Sequence, residues 1–254
     1  MKKILFVLTA SAAIISCSKV KDGEYLITGT ATGIENGKTI ILQGADPATR
    51  MPVALDTVKV ENGKFEIKGK VTEPAFHTLI LQGANGPVPL ILESGEIKVT
   101  IDKDSIQKSK VSGTYNNDEY VTFMDEMTKT QKSLIDFQKK NNQKMQQAQQ
   151  AQDTAVINSL MKQYMEIQKE VGENSKKKFL TYAETHPKSF ITVVLIQNLL
   201  NDPSTDLKKM ETLFNSLDES LKNTAPGKEL KTRFGQAKLP SVGTTGAPAV
   251  GSPK

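Results

Sequence analysis

Two periodicities divide the chain. From Glu24 to about Gly113 apolar and polar residues alternate with a period of two, the mark of strands with one buried face. The runs EYLITGTATG, KTIILQG, VALDTVKV, GKFEIKGKV, HTLILQG, VPLILE and EIKVTID each predict a strand. In the fourth, Phe65 and Ile67 point one way while Lys64, Glu66 and Lys68 point the other. Turn residues punctuate the runs. Asn62-Gly63, flanked by alternating residues, predicts a type I′ hairpin turn, because Asn and Gly tolerate positive φ. Asn36-Gly37 and Glu93-Ser94-Gly95-Glu96 are further turn signals, and Gly83, Gly86 and Pro87 mark another.

After Gly113 the spacing changes to three and four. Tyr120, Phe123, Met124, Met127, Leu134 and Phe137 predict an amphipathic helix capped at Asn117 or Asp118. A polar stretch, QKKNNQKMQQAQQAQD, keeps helix propensity while its apolar stripe thins. A second helix, capped at Asp153 or Thr154, carries Ile157, Leu160, Met161, Tyr164, Ile167, Val171, Phe179 and Tyr182 and ends at His186-Pro187. Two arms of about 30 residues imply an antiparallel hairpin roughly 45 Å long with a Gln-rich tip. Gln147 and Gln150 at that tip are the candidate partner-binding positions. Shorter helices are expected in KSFITVVLIQNLL, in STDLKKMETLFNSLDESL from Ser204 or Thr205, and in PGKELKTRF. Ile191, Val194, Leu195, Leu199, Met210, Leu213, Phe214 and Leu217 are their expected core.

The two ends of the chain add a location. Lys2 and Lys3 precede an apolar run from Ile4 to Ile15, shorter than the roughly 20 residues that span a bilayer. This is the pattern of an export signal. Its close, Ile14-Ile15-Ser16-Cys17, resembles a bacterial lipobox, which implies cleavage between Ser16 and Cys17 and lipidation of the Cys17 thiol. Two or three acyl chains anchor stably where one does not. Lipidation also accounts for the only cysteine of the chain. The mature protein would then lack the thiolate that thiol–disulfide exchange requires.

The expected organisation is therefore α+β. It comprises a lipoprotein signal over residues 1–16, a tether over 17–23, a small antiparallel β-sandwich over 24–114, a helical domain with a long hairpin over 115–239, and a disordered tail over 240–254. A net charge of +5, reduced to +3 once Lys2 and Lys3 leave with the signal, is too mild and too dispersed to indicate nucleic acid.

Candidate chemistry is sparse. His77 and His186 are the only histidines, and no ligand cluster accompanies either. Asp56 and Glu93 lie near strand ends and read as surface charge, as does Lys176-Lys177-Lys178 on the second helix. Gly83, Gly86 and Pro87 open no helix and so form no phosphate loop. Neither a cofactor nor a catalytic group is expected.

Leu55-Asp56-Thr57, Gly63-Lys64-Phe65, Gly69, Pro74, Glu93, Gly95 and the segment from Ser112-Gly113-Thr114 to Asn117 make a recognisable set. From about Tyr25 to Phe123 the chain resembles a β-rich domain of unknown function found in Bacteroidota lipoproteins. That domain typically precedes a thioredoxin-like domain of the alkyl hydroperoxide reductase/thiol-specific antioxidant type. His186-Pro187-Lys188-Ser189 is similar to the linker helices of those proteins, and Val242-Gly243 with Gly246-Ala247-Pro248 is similar to their lead-in to the redox domain. The resemblance implies that the redox domain is missing here, through evolutionary loss or a reading frame cut short. Fold-level likeness carries no redox activity over to a chain without the cysteines.

The resulting expectation is a non-enzymatic, lipid-anchored accessory protein of the cell envelope, facing the periplasm from the outer membrane. Its partners would be the membrane, through Cys17, and a separate thioredoxin-like protein. The alternatives are a periplasmic holdase that grips unfolded envelope proteins with the hairpin, and a ligand-binding β-sandwich.

Overall fold

The structure, a computed structural model, describes residues 20–46 and 48–237. The signal segment, Ser16, Cys17 and the tail over 240–254 lie outside the described residues. Seven strands follow the alternation: β1 (Glu24–Thr30), β2 (Thr39–Ala45), β3 (Pro52–Lys59), β4 (Lys64–Lys70), β5 (Ala75–Leu81), β6 (Pro87–Leu92) and β7 (Gly95–Thr100). An eighth, β8 (Lys110–Ser112), follows a short 3₁₀ turn and was not expected. At three residues it is too short for alternation to announce it.

The strands form two four-stranded sheets, ordered β4-β1-β7-β8 and β3-β2-β5-β6. All neighbours are antiparallel except β1 and β7, which run parallel. Ile27, Ile40, Leu42, Ile67, Leu79, Leu90 and Ile97 close the space between the sheets, each at most 1% exposed. Phe65 and Ile67 are both buried, so the alternation in β4 places them on the inner face. Two aromatic–glycine pairs tie β4 to β1. Gly29 lies opposite Phe65 and Gly69 opposite Tyr25. A Cβ on Gly29 would come within 1.9 Å of the Phe65 ring, and one on Gly69 within 2.8 Å of the Tyr25 hydroxyl. The missing side chains let the two rings lie flat across the partner strand.

The Asn62-Gly63 turn forms, with φ of 50° and 69°. It does not close a hairpin. Beyond a single bridge between Glu61 and Lys64, β3 and β4 part into different sheets. The Glu93-Ser94-Gly95 turn likewise passes the chain from one sheet to the other, β6 to β7. Local turn chemistry sets the reversal of the chain, but the burial of both inner faces decides which strands pair.

The arm consists of α1 (Tyr115–Gln150) and α2 (Thr154–Thr185), of 36 and 32 residues, about 54 and 48 Å long. Their shared seam follows steps of three and four through Tyr120, Phe123, Met127, Leu134, Phe137 and Met145 on α1. It is completed by Ile157, Leu160, Tyr164, Ile167, Val171, Phe179 and Tyr182 on α2. Met124 and Met161 were expected in these stripes but are 43% and 46% exposed. Each is one residue round from a seam position, about 100° away on the helix. Asp153 caps α2 by accepting from Val156 N, as one of the two expected positions.

The start of α1 differs from expectation. Its N-cap is Thr114, and Asn117 lies inside the first turn, fully buried. The Asn117 amide docks on the outer edge of β6 as a further strand would: Oδ1 accepts from Ile91 N at 2.9 Å and Nδ2 donates to Ile91 O at 2.7 Å. Asn116 reaches the other way, accepting from Phe190 N at 2.7 Å and donating to Glu93 Oε2 at 2.6 Å. Asp118 accepts from Gly113 N.

Four short helices pack beside the arm: α3 (Phe190–Leu199), α4 (Leu207–Ser216), α5 (Glu219–Lys222) and α6 (Ala225–Ala237). The expected single helix through STDLKKMETLFNSLDESL is two. Asp206, not Ser204 or Thr205, caps α4 by accepting from Lys208 N and Lys209 N. Leu217 then turns extended and Asp218 caps α5. Ile191, Leu195, Leu199, Met210, Leu213, Phe214 and Leu217 are buried in one cluster, with Val194 packed against it. Ile91 of β6 belongs to this cluster, although its neighbours Leu90 and Leu92 face the sandwich interior. Glu73, from the β4–β5 connection, accepts from Ala225 N at the start of α6.

Replacing Asn117 with Ala strands the N–H and C=O of Ile91 in the interior. The expected cost is about 2 to 4 kcal/mol of unfolding free energy. Urea unfolding checks this, and a loss under about 0.5 kcal/mol would show that the edge of β6 finds water instead.

Candidate functional site

The helical arm and its root carry the exposed features that bear on function. At the root a groove of about 750 Å³ opens between α1 and α2. Phe123 and Met127 form its apolar floor, with Glu119, Glu126, Lys129, Lys177, Lys178, Tyr182 and His186 on its walls. Helical spacing produces this placement. Glu119, Glu126 and Thr130 lie beside the α1 seam, and Lys177, Thr181 and Thr185 beside that of α2.

The walls hold two clusters. In the first, the Tyr182 hydroxyl donates to Glu119 Oε2 at 2.8 Å and contacts Ser189 Oγ at 3.0 Å. The His186 ring stacks on Tyr182 with centroids 4.1 Å apart and planes 4° from parallel. Its Nε2 lies 3.5 Å from Glu119 Oε2, and its Nδ1 lies 2.8 Å from the Thr185 hydroxyl. Burial first, and then the hydrogen bond to Glu119, hold the Tyr182 phenol far above the ordinary tyrosine range, so it stays a neutral donor. Ser189 also accepts from Ile191 N and so starts α3. This cluster joins the end of α2 to α1 and α3.

In the second cluster Glu126 receives Lys129 at 2.7 Å from its own helix and Lys178 at 2.9 Å from α2. These two cations hold its carboxyl down to about 2. Among the described residues on the walls, Lys177 is the charged group with no ionic partner in the groove. Apart from Lys177, the charged groups of the root groove are therefore paired with one another.

The other candidates fall apart in space. Gln147 and Gln150 are exposed at the end of α1, at the arm's tip as expected. Cys17 and Ser16 lie outside the described residues. His77 stands in β5, where its Nδ1 meets Ala75 O, on the sandwich and not with His186. Asp56 lies on β3 and Glu93 at the end of β6, the two opposite edges of one sheet, so they make no acid–base pair. Glu93 is more than surface charge, since it accepts from both Asn116 N and Nδ2 at the start of α1. Lys176 and Lys178 are likewise committed, to Asp202 and Glu126, and Lys177 alone fits the expected solvated face. No group of three or more His, Cys, Asp or Glu among the described residues could hold a metal ion. No described helix is long and apolar enough to cross a membrane. Asn116 and Glu119 escaped sequence reasoning, Asn117 was read only as a cap, and Ser189 only as part of the linker-like segment. The one available signal was an Asn doublet just inside a helix start, and it reads equally as a cap.

Residues 25–120 match the family model of a domain of unknown function, DUF4369. The N-terminal part of the chain thus contains a domain of unknown function. The match runs past β8 into the first turns of α1, where Asn116 and Asn117 fasten the helix to the sheet. No curated protein and no solved structure matches the chain.

A depressed carboxyl pKa stabilises the fold at pH values above the unfolded value, near 4.5, and that stabilisation disappears as pH falls through the folded value of about 2. Glu126→Gln should therefore melt below wild type at pH 6, with the gap closing between about pH 4.5 and pH 2. Thermal melts followed by helix ellipticity test this. A gap that persists unchanged at pH 2 would remove Glu126 as its source.

Proposed function

We propose that the protein is a non-enzymatic, lipid-anchored accessory protein of the cell envelope that presents a stiff helical arm to a partner protein. The observation that carries this reading is the double use of one turn. Ser94 Oγ accepts from Gly23 N at 3.0 Å, while the preceding Glu93 holds Asn116 at the start of α1. The first described strand and the root of the arm are thereby fastened to the same point. Gly23 lies six positions after Cys17, and an extended chain of six steps reaches at most about 20 Å. An anchor at Cys17 would hold the root close to the membrane and leave an arm about 50 Å long to search the space around it.

The lipobox-like Ile14-Ile15-Ser16-Cys17 supports the anchor, and the mild basic leader supports export. The resemblance of the β-rich region to domains that precede thioredoxin-like domains supports a thioredoxin-like partner acting in trans, with the body facing the periplasm from the outer membrane. The paired polar groups of the root groove support a surface role for the arm in place of chemistry there.

In cells, Cys17→Ala should abolish incorporation of labelled palmitate and release the protein from the membrane fraction. A protein that stays membrane-bound and labelled would overturn the anchor. A photo-crosslinker at Gln147 or Gln150 should capture one dominant envelope protein, identified by mass spectrometry. A broad spread of outer-membrane proteins would replace this reading with a holdase, and no captured partner would overturn it.

A further inference from the structure

The two ends of the arm use their charges differently. Along the proximal part lysines meet carboxylates: Lys129 and Lys178 at Glu126, Lys132 at Asp136, Lys169 at Glu173 and Lys176 at Asp202. From Phe137 round the tip to Met165 this stops. Lys139, Lys140, Lys144 and Lys162 are exposed and, among the described residues, have no carboxylate partner. The one acidic residue of that span, Asp153, is committed to the N–H of Val156.

The same span carries a groove along its seam. Phe137, Met145, Leu160 and Tyr164 line a groove of about 460 Å³, edged by Lys139 and Met161. Met161 and Met165 beside it are 46% and 62% exposed. The rings of Phe137 and Tyr164 that line it stand with their centroids 6.4 Å apart. A concave apolar seam between two helices accepts the apolar edge of a third helix, and methionine adapts to its shape. Lys139 at the groove's edge and the other unpaired lysines of the span select a helix whose flanks are acidic.

We propose that the distal span of the arm docks an amphipathic helix with acidic flanks, carried by a partner protein. A second copy of the arm is a poor occupant, because stacking two distal spans sets lysine against lysine. A flat anionic bilayer would meet the lysines but leave the groove unfilled. The inference rests on the proposed role of the arm as a binding element and adds the chemistry of its partner.

The test uses the chain from Ser18 onward, which keeps every described residue, and two labelled helical peptides of about 20 residues. Both carry leucine along one edge; one has glutamate on its flanks and the other lysine. Fluorescence anisotropy should show the acidic peptide binding at least about tenfold more tightly than the basic one, and weakening as salt rises. Lys139→Glu combined with Lys162→Glu should reverse that preference, and Met161→Ser should weaken the acidic peptide about tenfold. All of these side chains are exposed, and helix ellipticity confirms that the variants fold. Equal binding of both peptides, indifference to charge reversal, or stronger binding to phosphatidylglycerol vesicles than to the acidic peptide would overturn the proposal. Failure of the peptide while the crosslinked partner persists in cells would sink this inference alone. Absence of any crosslinked partner would sink the proposed function.

Discussion

The docking of one asparagine side chain on the outer edge of β6 joins the sheet to the helical part of the molecule. An edge strand presents unpaired N–H and C=O groups, and a buried edge must satisfy them. At Ile91 the Asn117 amide does so from inside the first turn of α1. Because Asn117 is fixed, Asn116 is aimed at Glu93 and at Phe190 N, which sets where α3 begins. Two adjacent residues of one helical turn thus orient a sheet, an arm and a helical layer. Ile91 repeats the theme with its side chain, which leaves the sandwich interior to enter the helical core.

The arm is built on a different principle. Beyond its root no third layer among the described residues covers it, so it relies on the seam between α1 and α2 and on helix propensity. The seam persists in steps of three and four to the tip, although its residues grow more polar. At the root the Phe76, Tyr120 and Phe190 rings join arm, sheet and helical layer, with Phe76 centroids 5.3 and 5.8 Å from the other two. The arm is therefore firmly held at one end and exposed at the other, which is the mechanical arrangement of a reaching element.

Function in this reading follows from position and not from reactive groups. The Glu93-Ser94 turn brings the start of the described chain to the arm's root, and charge pairing declines from root to tip. The root groove spends its polar groups on internal bonds, whereas the tip leaves lysines and methionines unspent. Under the proposed anchoring, a committed root and an uncommitted tip would suit recognition at a distance from the membrane.

Much of the secondary structure was determined locally. The alternation of Phe65 and Ile67 with lysines, the positive φ at Asn62-Gly63, the three- and four-residue spacing of the arm, the Asp153 cap and the stop at His186-Pro187 depend on neighbours a few residues away, so the sequence alone announces them. Tertiary structure decided the rest. Whether β3 and β4 form a hairpin depends on burying two faces at once, and alternation is blind to the choice of sheet. Met124 and Met161 match the apolar stripes by spacing, and only the geometry of the partner helix leaves them outside. Asn117 reads as a cap because its true partner, Ile91, stands 26 residues away. The same holds for Glu119 with Tyr182 and for Ser94 with Gly23. Contacts between distant parts of the chain leave no periodic trace in it, so only the folded arrangement reveals them.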